Sequence, residues 1–197
     1  MKYKVTIIME NIDKVLLKIA RLAIYEDLIG QKLIDKKKLL QEYPGLAREQ
    51  AVFVTLEKFD GKRESLRGCI GSLLPVRSLI DDVIYNAKAA AFNDPRFPPL
   101  SLDEFDQIKI EISLLSIPEA VRYNSIDELK QIIKPFKHGV ILNLSGRRAT
   151  FLPQVWKQLP DFDVFFQHLC LKAGLPENCL KYHPDISVYE VKEIWEE

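Results

Sequence analysis

The sequence predicts an α+β fold of mostly antiparallel β-sheet flanked by helices. Three observations carry that expectation. Short runs alternate apolar and polar residues with the period of a half-buried strand, most clearly Ile108, Ile110, Ile112 and Leu114 against Lys109, Glu111 and Ser113. Longer stretches repeat apolar residues at helical spacing, several of them opened by a capping residue. Tight-turn pairs such as Asp60-Gly61 and Ser145-Gly146 join neighbouring strands, which makes those strand pairs antiparallel.

Taken in order, residues 1–10 fit either a short strand or a tail. A helix follows over residues 11–29, capped by Asn11 or Asp13, with one stripe of Ile12, Val15, Leu16, Ile19, Leu22 and Ala23, and Gly30 ends it. Residues 31–50 are charged, contain the turn signal Tyr43-Pro44-Gly45, and read as a connection carrying a short helix. Val52, Val54 and Leu56 alternate with Phe53, Thr55 and Glu57, and the return strand of this hairpin carries Leu66-Arg67-Gly68-Cys69-Ile70-Gly71. Ser78 caps the next helix, whose stripe ends in small alanines (Ala87, Ala90, Ala91) that permit close approach to the sheet. Asp94-Pro95-Arg96-Phe97-Pro98-Pro99 is stiff and cannot join a central sheet.

Ser101 with Glu104, and Ser125 with Glu128, are capping boxes, the second opening a helix stopped by Pro135. His138-Gly139 leads into the strand of Val140, Leu142 and Leu144, and Ala149 to Val155 reads as a short return strand ended by Pro153. Asp161 or Asp163 caps a helix with Phe162, Phe165, Phe166 and Leu169 on its apolar face, ended by Gly174. A last strand is expected over residues 186–191.

The 197 residues fit one large domain, or a main domain with a small satellite, and a composition 47% hydrophobic and 28% charged supports an ordinary core. The 28 basic and 28 acidic residues cancel, which argues against the broad basic footprint of a nucleic-acid binder. No apolar run approaches the ~20 residues that span a bilayer, and residues 1–9 are too mixed for a signal peptide, so a cytoplasmic protein is expected. Cys69, Cys170 and Cys179 stand at no paired spacing and predict no disulfide framework.

Phosphate-loop, GxGxxG, GxSxG and HExxH signatures are all missing. Chemistry must therefore come from a less common site, and Cys69 is the first candidate. A thiol becomes a nucleophile when a cation, a histidine or a helix N-terminus lowers its pKa. Arg67 stands two residues away, and on one regular strand the two side chains would share a face. His138 is the favoured base for such a thiol, while Glu111 and Asp94 can orient the pair or serve as salt-bridge partners of Arg67 and Arg96. The plainer reading makes Cys69 a small buried hydrophobe. His168, Cys170, Cys179 and His183 are zinc-ligand types, but the spacing of the two cysteines matches no zinc knuckle and Cys170 sits beside an apolar helical face. Neither metal nor cofactor is expected.

These motifs, in this order, resemble the AMMECR domain family: Phe53-Val54-Thr55-Leu56, Leu66-Arg67-Gly68-Cys69-Ile70-Gly71, Asp94-Pro95-Arg96-Phe97-Pro98-Pro99, Glu111-Ile112-Ser113-Leu114-Leu115, His138-Gly139, Leu152-Pro153-Gln154-Val155 and Cys170-Leu171-Lys172-Ala173-Gly174-Leu175-Pro176. The resemblance covers about residues 11–191. It implies a two-part α+β fold, a larger antiparallel subdomain and a smaller one, with the Arg-Gly-Cys-Ile-Gly motif at or near the cleft between them. It also implies an activity not firmly established for the family. The bacterial branch is the "A" protein of the AmmeMemoRadiSam system, so the implied partners are a Memo-like and a radical-SAM protein. An unidentified small-molecule ligand and a homodimer are separate expectations for this chain. Carried over, the signature positions are Arg67, Gly68, Cys69, Gly71, Asp94, Arg96, Phe97, Pro98, Pro153 and Gln154.

Two functions follow as expectations. In the first, the chain is an enzyme component with Cys69 as reactive thiol, His138 and Glu111 moving protons, and Arg67, Gly68, Gly71, Asp94, Arg96 and Gln154 lining a ligand site. In the second it is a non-catalytic module that binds a small ligand or a partner. A thiol pKa at or above the ordinary value of about 8.5 counts against the first.

Overall fold

The computed structural model describes residues 11–59 and 63–196. The expectations for residues 1–10 and for the Asp60-Gly61 turn lie outside the described residues. The chain divides into two compact units, one of residues up to 113 together with 193 onward, the other of residues 114–192.

In the first unit, helix α1 (Ile12–Ile29) starts at Asn11, whose side chain accepts the Asp13 N–H, and stops at Gly30 in the left-handed conformation. Glu26 of α1 is nearly buried, because its carboxylate accepts the N–H groups of Leu33 and Ile34 and so fixes the chain that follows. Helix α2 (Lys36–Glu42) and a single 3-10 turn (Pro44–Ala47) make the expected connection. Strands β1 (Val52–Phe59) and β2 (Glu64–Gly71) form an antiparallel hairpin. Helix α3 (Leu79–Phe92) packs on both strands and on α1. A capping box at Ser101 and Glu104 starts helix α4 (Leu102–Phe105), and strand β3 (Ile108–Leu115) follows. The sheet order is β2-β1-β3-β8, with β8 (Val191–Trp195) on one edge and β2 on the other. Val52, Val54 and Leu56 are fully buried, as the alternation requires of the face under the helices.

The second unit holds β4 (Glu119–Val121), α5 (Ile126–Ile132), β5 (Gly139–Leu144), β6 (Arg147–Phe151), α6 (Phe162–Lys172) and β7 (Asp185–Tyr189). Its strands are antiparallel in the order β4-β7-β5-β6. Ser145 and Gly146 both take positive φ between β5 and β6, the mark of a type I′ hairpin turn. Its core closes around Trp156, stacked on Phe165 with ring centroids 3.5 Å apart.

Three expectations are corrected. The last strand is two: β7 lies in the second sheet and β8 in the first, with Glu190 between them bonded to Ser116. Its alternation is imperfect because the strand changes sheets. The return strand after β5 ends at Phe151, and Pro153 opens a 3-10 turn (Pro153–Lys157) instead. Finally, Cys170 and Cys179 are joined in a disulfide. The linear spacing hides this pair, because Gly174 turns the chain sharply after α6 and brings a 3-10 turn (Cys179–Tyr182) back against the helix end. The two sulfurs are thus spent on each other, and the His183 ring stacks on Tyr123. None of the described helices is long and apolar enough to cross a membrane.

Candidate functional site

The motif Arg67-Gly68-Cys69-Ile70-Gly71 occupies the end of β2, and each residue has a distinct local environment. Gly68 faces α3 so closely that a Cβ there would lie 2.1 Å from the Ala90 carbonyl oxygen. Gly71 lies under the ring of Phe53, 2.2 Å from where its Cβ would stand. Both glycines are therefore demanded by packing.

The hairpin register explains Cys69. The Ser72 N–H donates to the Val52 carbonyl, so alternation makes Val54 and Ile70 a bonded pair and Thr55 and Cys69 a non-bonded one. The main-chain N–H and C=O of Cys69 then point outward from an edge strand and need partners of another kind. Asp94 and Arg96 supply them. Asp94 Oδ2 accepts the Cys69 N–H at 2.9 Å, and Arg96 Nη2 donates to the Cys69 carbonyl at 3.3 Å. The two side chains are themselves joined in a fork, Nε to Oδ1 at 2.9 Å and Nη2 to Oδ2 at 2.7 Å. The guanidinium of Arg96, with the two backbone N–H groups, holds the buried Asp94 carboxyl well below the usual carboxylate range.

Non-bonded pairs bring side chains close, and the Thr55 hydroxyl donates to Cys69 Sγ at 3.3 Å. The thiol is partly exposed. Burial nevertheless pushes its pKa up; the Thr55 hydroxyl and Arg96 oppose that rise, while Glu111 and Asp94 add to it. Glu111 on β3 is likewise shifted up by burial, against the hydroxyl of Ser113 and the indole of Trp195, with Glu193 and Glu57 reinforcing the rise.

Arg67 departs from its expected place. The register slips between Leu56 and Glu57, which pair with Gly68 and Leu66, and leaves Arg67 as a bulge residue. Regular alternation between Arg67 and Cys69 is lost there. The Arg67 side chain is buried and bonds instead to both oxygens of Glu104 and to the Pro98 carbonyl. Its Nη1 is buried with no hydrogen-bond partner among the described residues. Glu104, pulled down to about 2 chiefly by Arg67 and with Lys58 also on it, anchors this cluster. The cation beside the thiol is Arg96.

His138 and Gln154 belong to the second unit. His138 Nδ1 accepts the Lys134 N–H, its carbonyl accepts the Trp156 indole N–H, and burial lowers its pKa. Gln154 is half-buried in the 3-10 turn after β6. The structure thus gathers Gly68, Cys69, Gly71, Asp94 and Arg96, adds Thr55, and sets Arg67 apart in its own cluster with Glu104. The sequence signal for Thr55 is the hairpin register, visible only once strand pairing is known.

The AMMECR1 family profile matches residues 17–194. A protein of Methanothermobacter thermautotrophicus is 40% identical over 178 residues, covering 89% of this chain and 88% of its own. A protein of Aquifex aeolicus is 36% identical over 171 residues, covering 84% and 83%. The crystal structure of the uncharacterized protein PH0010 from Pyrococcus horikoshii superposes with a TM-score of 0.80 at 32% identity, covering 94% of this chain and 91% of that one. Motif order, architecture and these relatives agree: the chain belongs to the AMMECR1 family.

Proposed function

We propose that this chain is a binding module whose first unit presents a small-molecule site, and that the Arg-Gly-Cys-Ile-Gly motif builds that unit rather than carrying a reaction. The supporting observation is the state of Cys69. A catalytic thiolate needs a lowered pKa, whereas burial raises this one. Arg67 is occupied by Glu104 and Pro98, and Asp94 with Arg96 holds the Cys69 main chain. Zero net charge supports a small ligand or protein partner over nucleic acid. Family membership supports Memo-like and radical-SAM partners in the cytoplasm.

Alkylation of Cys69 by iodoacetamide across pH tests the reading, since the other two cysteines are joined. A midpoint above about 8.5 is expected. One observation favours a second reading, an enzyme component with Cys69 as nucleophile and Glu111 as proton acceptor: the sulfur keeps partial exposure, and Thr55 and Arg96 both favour its thiolate. That reading predicts a midpoint well below the ordinary value. It also predicts that Cys69→Ser abolishes pathway output while partner binding persists.

A further inference from the structure

A cavity of about 730 Å³ runs along α1 in the first unit, within the size range of small-molecule sites. Lys14, Lys18 and Arg21 stand at i, i+4 and i+7 of α1 and so share one stripe along its wall. Arg21 is neutralised, since Nε and Nη2 hold both oxygens of Glu196 at 2.7 and 2.5 Å. Lys14 and Lys18 are exposed, and their ammonium groups have no hydrogen-bond or ion-pair partner among the described residues. Lys109 and Asp106 add one charge of each sign to the lining, so the surplus over Arg21 and Glu196 is the pair Lys14 and Lys18. The cavity therefore carries an excess of positive charge.

Its other wall is the indole of Trp195 on β8, which is 56% exposed, and its floor is apolar, with Leu17 and Ile108 buried beneath. An exposed Trp ring leaves a large flat apolar surface facing solvent. A second cavity of about 190 Å³, lined by Glu111 and Glu57, shares Lys109, Trp195 and Glu196 with the first.

We propose that this cavity binds a flat aromatic ring bearing a phosphate or carboxylate group, the ring against Trp195 and the anion between Lys14 and Lys18. This names the ligand class of the binding module proposed above and rests on that reading. A simple cation is disfavoured by the lysines. An uncharged ring leaves their charge unused, and a bare anion leaves the indole uncovered.

Isothermal titration calorimetry of the full chain tests the assignment with four probes: adenosine monophosphate, 1-naphthoate, adenosine and inorganic phosphate. At least one of the first two is expected to saturate the protein at about 1 mM or below. Adenosine and inorganic phosphate are expected to bind about tenfold more weakly or not at all, and the better aromatic anion says which anionic group is read. Lys14→Ala with Lys18→Ala should weaken that anion about tenfold, steeply with salt, at unchanged melting temperature, and Trp195→Phe should weaken it independently of salt. The proposal is overturned if neither aromatic anion binds at 1 mM, if adenosine equals adenosine monophosphate and no carboxylate binds, or if the lysine pair leaves affinity unchanged. These outcomes are separate from the Cys69 alkylation profile, so the ligand class can fail while the binding-module reading stands.

Discussion

Gly68→Ala isolates the packing role of the motif. The new Cβ would stand 2.1 Å from the Ala90 carbonyl oxygen, where an ordinary carbon–oxygen contact is about 3.3 Å or more. The last turn of α3 or the end of β2 must therefore shift by about 1.2 Å. The obstacle is main chain on a helix packed against α1 and β1, so the shift cannot be absorbed by one side-chain rotation. Overpacking costs about 1–3 kcal/mol, and a backbone clash belongs at the upper end. At about 2–4 °C per kcal/mol for a chain of this size, the melting temperature should fall by about 6–12 °C. Circular dichroism melts measure it, with Gly45→Ala as the control, since nothing lies within 4 Å of a Cβ there. The control should be neutral or raise stability by about 0.4–1 kcal/mol through the unfolded chain. A Gly68→Ala melt within 1 °C of the parent, on the order of experimental error, would refute the close approach of α3.

Asp94→Asn should cost about 2 kcal/mol, the worth of a charge-assisted bond to a half-exposed Arg96, and urea titration at neutral pH measures it. Because the folded-state pKa values of Asp94 and Glu104 are depressed, their stabilisation is present above the unfolded carboxylate range near pH 4 and is lost as pH falls through the folded values. Acid unfolding of Asp94→Asn should consequently be shallower than that of the parent, and parallel curves would contradict the ion pair. Replacing Cys170 and Cys179 together by alanine should cost about 3 kcal/mol from loop closure over a separation of 9 residues, with cavity loss in addition because both are buried. An unchanged melt for that double variant would argue against the bond.

What was legible in the sequence was what local pattern determines. The alternation at Val52, Val54 and Leu56, the cap at Asn11 and the turn at Ser145-Gly146 each depend on a few neighbouring residues, and each forms as expected. What escaped depends on pairing between distant segments. The bulge at Arg67 is a property of register, invisible until β1 and β2 are aligned, and it sends the guanidinium to Glu104. The stripe of α3 reads as apolar, yet Asp82 and Asn86 sit in it four residues apart and almost fully buried. Asp82 accepts the Val52 N–H and the Ser72 hydroxyl and is paired with Arg77, so a polar network tethers the helix to the hairpin within the core. Neither residue type signals such burial without its distant partners. The environment of Cys69 escapes the sequence for the same reason. Proximity in sequence points to Arg67, whereas the cation that reaches it comes from residue 96.

The central claim is that Cys69 serves the architecture of the first unit and rests as a neutral thiol. The rate of iodoacetamide alkylation of Cys69 as a function of pH measures this directly, with mass spectrometry to confirm the site. The account predicts a midpoint above about 8.5, shifted further up in Thr55→Val, where the donated hydrogen bond is lost. A midpoint at or below about 7.5 would contradict it and establish Cys69 as an activated nucleophile.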